Sequence, residues 1–256
     1  MITLGPYTFT KSDALRTMAN LGGLWSGMAE CRTSDAAEQI GAALAQRLRA
    51  ALQAPVDADL GALGVLASST LGDSPLLAEV LADVWETLPR AAEAFRADGQ
   101  MPATAIGSVT QLSSSKGGVP KLAVPSVVVD FTGVVGDVQR VRIHHGRPWQ
   151  ALCLFADEVI ATLRAEGHPI NPGSTGENIT VSGLDWTQVR PGVRIDIGSV
   201  QALVQAYAEP CATNAQFFVD GNFNAMNKSR GAFSRVYATV LQPGTITTGD
   251  PIILEP

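Results

Sequence analysis

Residues 193–207, Val193-Arg-Ile-Asp-Ile-Gly-Ser-Val-Gln-Ala-Leu-Val-Gln-Ala-Tyr207, decide the class of the C-terminal half of this chain. Val193, Ile195 and Ile197 alternate with Arg194 and Asp196, a period of two that buries one face of an extended strand and wets the other. Gly198 breaks the run and Val200–Tyr207 resumes it as a second strand. Further short β-rich runs, separated by Gly, Pro and Asp, lie at Val124–Asp130, Val138–His144, Ile179–Ser182, Arg235–Leu241 and Ile252–Leu254. One helix interrupts them, from Ala156 or Asp157 to Glu166, with Val159, Ile160 and Leu163 inward and Gly167 as its stop. Six or seven short strands with one or two helices predict a compact, mostly β, barrel-like domain.

Upstream of about Pro102 the pattern changes to apolar residues three and four apart in an Ala- and Leu-rich sequence without histidine. Ser34 and Asp35 cap a predicted helix in which Ile40, Leu44, Leu48 and Leu52 recur every four residues. A second strong helix starts at Ser74 with Pro75 in its first turn, where a missing N–H costs nothing. Leu77, Val80, Leu81, Val84, Trp85 and Leu88 form its stripe, Pro89 is expected to kink it, and Gly99 to end it. Weaker helices are predicted around Ala14–Glu30 and Asp59–Ser69. The chain therefore reads as α+β: a helical N-terminal domain or extension over residues 1–103, then a barrel-like domain over 104–256.

Composition narrows the function. The 256 residues carry 18 Lys+Arg against 24 Asp+Glu, a net charge of −6, the wrong sign for a protein whose task is to neutralise a nucleic-acid backbone. The N-terminal 103 residues hold most of that excess, and the C-terminal part is nearly balanced and contains all three histidines. No apolar run approaches the roughly 20 residues that span a bilayer. The opening MITLGPYTFTKSD has no basic region followed by an apolar block, so no secretory signal is read. Cys31, Cys153 and Cys211 are too few and too scattered for a disulfide framework or a zinc ribbon, and a reducing, cytoplasmic setting is expected.

Familiar nucleotide and zinc-peptidase motifs are absent from the sequence. His144 and His145 are neighbours on a predicted strand, so their side chains diverge and do not chelate one metal; His168, in a Gly-His-Pro turn, reads as a loop residue. What remains is a set of glycine-punctuated polar strings. Lys116-Gly-Gly-Val-Pro-Lys121 is a turn with two cations. Gly133-Val-Val-Gly-Asp137 leads into Gln139-Arg-Val-Arg-Ile-His-His-Gly-Arg147, where Arg140, Arg142 and His144 share one face of the predicted strand. That face suits a phosphate or another dense anion, or is simply solvated. Pro172-Gly-Ser-Thr-Gly-Glu-Asn-Ile179 is a loop in which Asn178 clamps either backbone or a ligand edge. In Ala208-Glu-Pro-Cys211-Ala-Thr-Asn214 the thiol of Cys211 projects from a stiff turn after a strand, a place for a soft metal ligand or a nucleophile. Cys153, between two leucines, reads as core, and Cys31 as structural.

Taken in order, these strings resemble the MOSC domain, named for the C-terminal part of molybdenum cofactor sulfurase. The resemblance spans about Ala105 to Ile253. It rests on Gly133–Asp137, His144-His-Gly-Arg-Pro148 running into Gln150-Ala-Leu-Cys-Leu154, Gly167, Pro172–Thr180, Pro191-Gly, Ile197-Gly, Pro210-Cys211, Ser234-Arg-Val-Tyr-Ala238 and Gly249-Asp250. It is similar to the stand-alone bacterial branch of that family, with an N-terminal helical region outside the pattern. The resemblance implies a β-barrel that binds the molybdenum cofactor (molybdopterin) with Cys211 as metal ligand. It makes Lys116, Arg142, His145, Arg147 and Arg235 candidates for phosphate or pterin contacts, with Asn178 shaping the pocket.

The activity it implies is reduction of N-oxygenated, N-hydroxylated small molecules. His145, Asp137 or Glu177 would pass protons. The sequence has no clustered cysteines for an iron–sulfur centre and no dinucleotide fingerprint, so a separate electron-donor reductase is expected as partner. Two alternatives stay open: a metal-independent thiol enzyme of sulfur transfer or C–S cleavage that uses Cys211, and a non-catalytic carrier of the cofactor. The role of the helical region is open between a lid, a homodimer surface, a partner-docking module and a packing extension.

Overall fold

The structure, a computed structural model, describes residues 1–21, 35–97, 102–140, 145, 147–230 and 232–255. Cys31, Ser34, Arg142, His144 and the second half of the helix expected over Ala14–Glu30 lie outside the described residues. The chain divides into two units, Met1–Met101 and Pro102–Pro256.

The first unit opens with an antiparallel hairpin, β1 (Ile2–Leu4) and β2 (Tyr7–Phe9), which short-range pattern reading did not predict. Four helices follow among the described residues: α1 (Lys11–Ala19), α2 (Asp35–Leu52), α3 (Leu60–Thr70) and α4 (Leu76–Ala97). Their starts obey capping chemistry. The Thr10 hydroxyl accepts from the Asp13 N–H at 3.0 Å, Asp59 from the Ala62 N–H at 2.7 Å, and Ser74 from the Leu76 N–H at 3.2 Å, each satisfying an orphan donor of the first turn. Leu44 and Leu48 of α2 and Leu77, Val80, Leu81 and Val84 of α4 are buried, so the helical stripes face the core as their spacing requires. Tyr7 packs edge-on against Trp85 with ring centroids 4.6 Å apart, which joins the hairpin to α4. α4 continues as one helix through Pro89 to Ala97.

The second unit is a closed barrel. Its strands are β3 (Ala105–Ser114), β7 (Leu152–Ala156), β8 (Ile179–Ser182), β9 (Arg194–Ile197), β10 (Val200–Ala208), β11 (Arg235–Gln242) and β13 (Pro251–Glu255). They pair in the order β13-β9-β10-β11-β7-β8-β3, and β13 pairs again with β3 to shut the ring of seven, which removes the exposed sheet edges. Every pair is antiparallel except β7–β8, where α5 (Asp157–Ala165) makes the crossover that a parallel pair demands. β4 (Leu122–Val124) extends from β3, and β12 (Gly244–Thr247), β5 (Ser126–Asp130) and β6 (Gly133–Val134) form a small second sheet. In β9, Ile195 and Ile197 are fully buried and Arg194 is exposed, as the alternation dictates. β7 is buried along its whole length, the pattern of a strand covered on both faces.

Two differences from the expected strands have physical causes. The run Val124–Asp130 is two strands, divided at Pro125, which has no N–H to continue the ladder. The strand expected over Val138–His144 is absent over Val138–Arg140. After β6 the chain turns away: Gly136 adopts φ +84°, Asp137 is tied down by its side chain, and the Val138 N–H donates to Ser115 O at 2.8 Å. Gly133, at φ +120°, sets the preceding turn, and a side chain there would meet Ala151 O at 2.3 Å. Arg140 is therefore on no strand, and Arg142 and His144, expected on the same face, lie outside the described residues.

Candidate functional site

Cys211 lies three residues beyond the end of β10 and opens the turn Ala212–Phe217, with extended backbone at φ −133°. The turn is closed by the Asn214 N–H donating to Cys211 O at 2.9 Å. The thiol is half-buried, unlike that of Cys153, which is sealed in β7. What lies beside Cys211 follows from strand register. Ala208 is opposite Arg235 across β10–β11, and Tyr237 is opposite Cys153 across β11–β7. Directly opposed residues share a face, and so do residues two apart along a strand. Arg235, Tyr237, Cys153 and Ala208 therefore form one patch beneath the turn that carries Cys211.

Arg235 is 4% exposed. Its guanidinium donates to Thr175 O and, at 3.5 Å, to Glu209 O, so one side chain links the 172–178 loop to the residue two before Cys211. Burial works against its charge, but Cys153, Tyr237, Glu177 and Cys211 surround it with groups that favour the cation and hold it above the ordinary arginine range. Glu177 is fully buried; its carboxylate accepts from the Gly173 N–H at 2.5 Å and the Thr175 hydroxyl at 2.7 Å. Gly173, at φ +84°, cannot carry a side chain, because a Cβ would meet Lys121 O at 2.5 Å.

The second polar centre is Asp137. One oxygen accepts from the Ser115 N–H at 2.8 Å and the Ser114 hydroxyl at 3.5 Å; the other accepts from Lys121 and from Asn178 Nδ2, the latter at 3.1 Å. Asn178 also donates to Ser113 O at 3.3 Å, and its backbone N–H to Cys153 O at 2.8 Å. Asn178 is thus a clamp on backbone, and both Asp137 and Glu177 have their oxygens engaged within the protein.

The remaining candidates divide. His145 is half-buried, with its Nδ1 3.2 Å from the Tyr237 hydroxyl. Arg147 is buried and donates to Gln150 Oε1 at 3.0 Å. Lys116 is exposed and reaches Gly136 O at 3.3 Å, and Arg140 lies over Gly117. Arg142 lies outside the described residues. His168 accepts from the Val219 N–H at 3.1 Å and packs on Phe218, so it fastens the segment after Cys211. Tyr237 was not singled out from sequence, and Lys121 was read only as one of two cations in a turn; the quoted run Ser234-Arg-Val-Tyr-Ala238 contained the tyrosine, but only its pairing with Cys153 gives it a place at the site.

Burial pushes the Cys153 thiol up from its ordinary value near 9 to about 11, and Arg235 only partly offsets this. An acid whose folded pKa is raised favours the folded state while neutral, so its contribution is intact below about pH 9 and is lost as pH rises toward 11. By about pH 10.5 this group alone is expected to lower stability by about 2 kcal/mol. Tyr237, whose phenol is also pushed up by burial, acts in the same direction at still higher pH. Urea midpoints at neutral and alkaline pH check this: Cys153→Ser, which does not titrate, is expected to show a shallower alkaline loss than the wild type. Equal losses in the two proteins would refute it.

Two buried donors have no acceptor among the described residues: Asn214 Nδ2, on the turn that follows Cys211, and Nε of Arg235, whose guanidinium reaches Glu209 O. Each unpaired buried donor costs about 1–3 kcal/mol. A half-buried thiol on a turn that also carries one such donor and is tied to the other suits a group that offers both a soft metal and acceptor atoms.

Comparison with known proteins bears on what that group is. Residues 141–253 match the MOSC domain, a span that includes His145, Arg147, Glu177, Asn178, Cys211 and Arg235. The curated proteins give no match. Among solved structures, the YuaD protein from Bacillus subtilis has a similar fold, with a TM-score of 0.50 at 18% identity over 59% of this chain and 97% of that one. YiiM from Geobacillus stearothermophilus aligns at 23% identity and a TM-score of 0.48, over 59% of this chain and 75% of that one. YiiM from Escherichia coli aligns at 21% identity and a TM-score of 0.46, over 60% and 71%.

Proposed function

We propose that the C-terminal unit, whose residues 141–253 match the MOSC domain, binds the molybdenum cofactor and reduces N-oxygenated small molecules. The family is associated with that cofactor, and many of its members are enzymes. What supports the reading is the half-buried Cys211 thiol on a turn that carries one buried donor without an acceptor, Asn214 Nδ2, and is tied to the side chain that holds another, Arg235 Nε.

In this reading Cys211 is the single protein ligand to the metal. Among the described residues no three His, Cys, Asp or Glu side chains cluster for a metal ion, so the other donors are the cofactor's own. When bound, the cofactor supplies the two electrons that cleave an N–O bond. The balance is one N-hydroxyl group, two electrons and two protons giving an N–H and water. The rest is this chain's work. Arg235 and Asn214 hold acceptor atoms in place, and Arg147 and Lys116 add positive charge for a phosphate. Asp137 and Glu177 fix the loops around the site through their internal hydrogen bonds, and His145 is the group that delivers protons. Electrons come from a separate reductase.

The test is metal analysis of protein from a molybdenum-sufficient host. Stoichiometric molybdenum is expected in the wild type and in Cys153→Ser, and none in Cys211→Ala. Turnover of an N-hydroxylated substrate is expected with a chemical reductant and not with a nicotinamide alone. Metal absent from all three, with thiol-dependent activity on sulfur compounds, would replace this reading by sulfur chemistry at Cys211. Bound cofactor without reductase activity would leave a carrier.

A further inference from the structure

We infer that His168 is a pH-operated clasp on the segment that begins at Cys211: as a neutral imidazole it holds the Val219 amide, and as an imidazolium it releases that amide and turns to Glu166. The inference takes Cys211 as the working residue, as in the reading above, and adds a regulation of the same site. Residues 212–230 belong to no sheet. They form a succession of short turns, in which the N–H groups of Asn214, Phe218, Gly221, Ala225 and Arg230 each donate to the carbonyl three residues back, at 2.9–3.1 Å. Such turns order the chain locally and do not fix where it lies on the barrel. Burial of Phe218, Ala225 and Met226 supplies part of the anchoring. A polar part comes from one corner, Glu166-Gly-His168, at the end of α5. Glu166 accepts from both terminal nitrogens of Arg230, at 3.5 and 3.2 Å. His168 accepts from the Val219 N–H at 3.1 Å, and its ring packs on Phe218 with centroids 5.0 Å apart. The corner is itself fixed: the His168 N–H donates to Leu163 O at 3.1 Å, and the Ile170 N–H to His168 O at 2.8 Å.

The chemistry of the contact sets its sign. A backbone N–H can only donate, so the bond to Val219 requires a bare Nδ1 and therefore a neutral ring. Protonation of Nδ1 sets two donors against each other and removes the bond. Among the described residues the charged groups at His168 are Glu166, whose Oε2 is 3.9 Å from His168 Nε2, and behind it Arg230. Asp220, next to Val219 in the chain, is exposed. Glu166 favours the imidazolium, but its side chain is 38% exposed and already engaged by Arg230, so its pull is weak. Its effect is to keep the charged ring at the corner while Val219 is released. The clasp is thus closed at neutral and alkaline pH, and it opens on acidification through the range in which histidine ordinarily gains its charge.

The experiment measures amide hydrogen exchange of the full chain, free of cofactor, at about pH 8 and about pH 5.5, each rate divided by the unfolded-chain rate at the same pH. The amides from Val219 to Asn222 are expected to lose protection about 3- to 10-fold at the lower pH, with β10 and β11 unchanged. His168→Asn carries a side-chain oxygen as many bonds from Cα as Nδ1 and does not titrate; it is expected to keep the protection at both pH values. His168→Leu, which has no acceptor, is expected to be as loose at pH 8 as the wild type is at pH 5.5, and to change no further. Equal protection of the wild type at the two pH values would overturn the clasp. So would a fall of the same size in His168→Leu, which would place the titration on another group. An asparagine variant as loose as the leucine variant would overturn it too, because packing on Phe218 and not the acceptor would then do the holding. The link to Cys211 is read by its rate of reaction with a pyridyl disulfide, located by peptide mapping to separate it from Cys31 and Cys153. The ratio of wild type to His168→Asn at one pH cancels the ionisation of the thiol. That ratio is expected to be about 1 at pH 8 and about 3 to 10 at pH 5.5. A ratio of about 1 at both would overturn the link. Failure of the reductive reading shows instead as wild-type protein without molybdenum, which neither measurement registers.

Discussion

Asp137→Ala is expected to destabilise the C-terminal unit by about 3–5 kcal/mol, the usual effect of removing one partner of a buried ion pair. Lys121 and Asp137 have side chains only 7% and 3% exposed. Without the carboxylate the Lys121 ammonium is buried with no counter-charge, while the Ser115 N–H and the Asn178 amide each lose an acceptor. For a unit of this size a loss of that order lowers Tm by about 10 °C or more. Calorimetry of the full chain measures it in the C-terminal transition. Adding Lys121→Met to Asp137→Ala is expected to restore a large part of the loss, because the stranded charge and not the missing pair is the main penalty. A double variant no more stable than the single one would refute that account.

Arg235→Met is the second large effect, about 2–5 kcal/mol, because two carbonyls lose a charged donor in a buried setting. Its guanidinium reaches Thr175 O and Glu209 O together, and the charge of the buried Glu177 favours its cationic form. Hydrogen exchange is the sharper readout. Amides of the 172–178 loop and of the Glu209–Ala212 turn are expected to speed up together, since one side chain ties both. Arg235→Lys is expected to recover less than half of the protection, because a single ammonium replaces a planar fork whose nitrogens reach two separate carbonyls. Protection lost in one segment alone, or full rescue by lysine, would show that Arg235 is not the tie.

The barrel was legible where apolar residues repeat at a clear period. Arg194–Ile197, Val200–Ala208, Arg235–Gln242 and Ile179–Ser182 all coincide closely with runs of β-branched and aliphatic residues. β3 was not read, although it is the longest strand described. Its sequence, Ala105-Ile-Gly-Ser-Val-Thr-Gln-Leu-Ser-Ser114, is polar, and it is accommodated by partners elsewhere in the chain: the Ser108 and Ser182 hydroxyls lie 3.3 Å apart, and Gln111 donates to Pro172 O at 3.0 Å. A local pattern carries no sign of such partners. The place of Cys211 on a turn after a strand was legible because a cysteine after proline at a strand end is a local feature. Tyr237 and Lys121 were not, because their significance lies in what stands opposite them.

By itself, the sequence determined the α+β order, the strands with clean periodicity, the net negative charge, and the ordered strings that resemble the MOSC domain. Those properties reside in residue type and spacing. Tertiary structure alone decided that β13 closes on β3, that Asp137 pairs with Lys121, and that Arg235 ties Thr175 to Glu209. It also set the two cysteines apart, sealing Cys153 inside a strand and leaving Cys211 half-buried on a turn. The physical reason is that burial and charge compensation depend on which distant groups surround an atom, and that is fixed only when the ring of strands has closed.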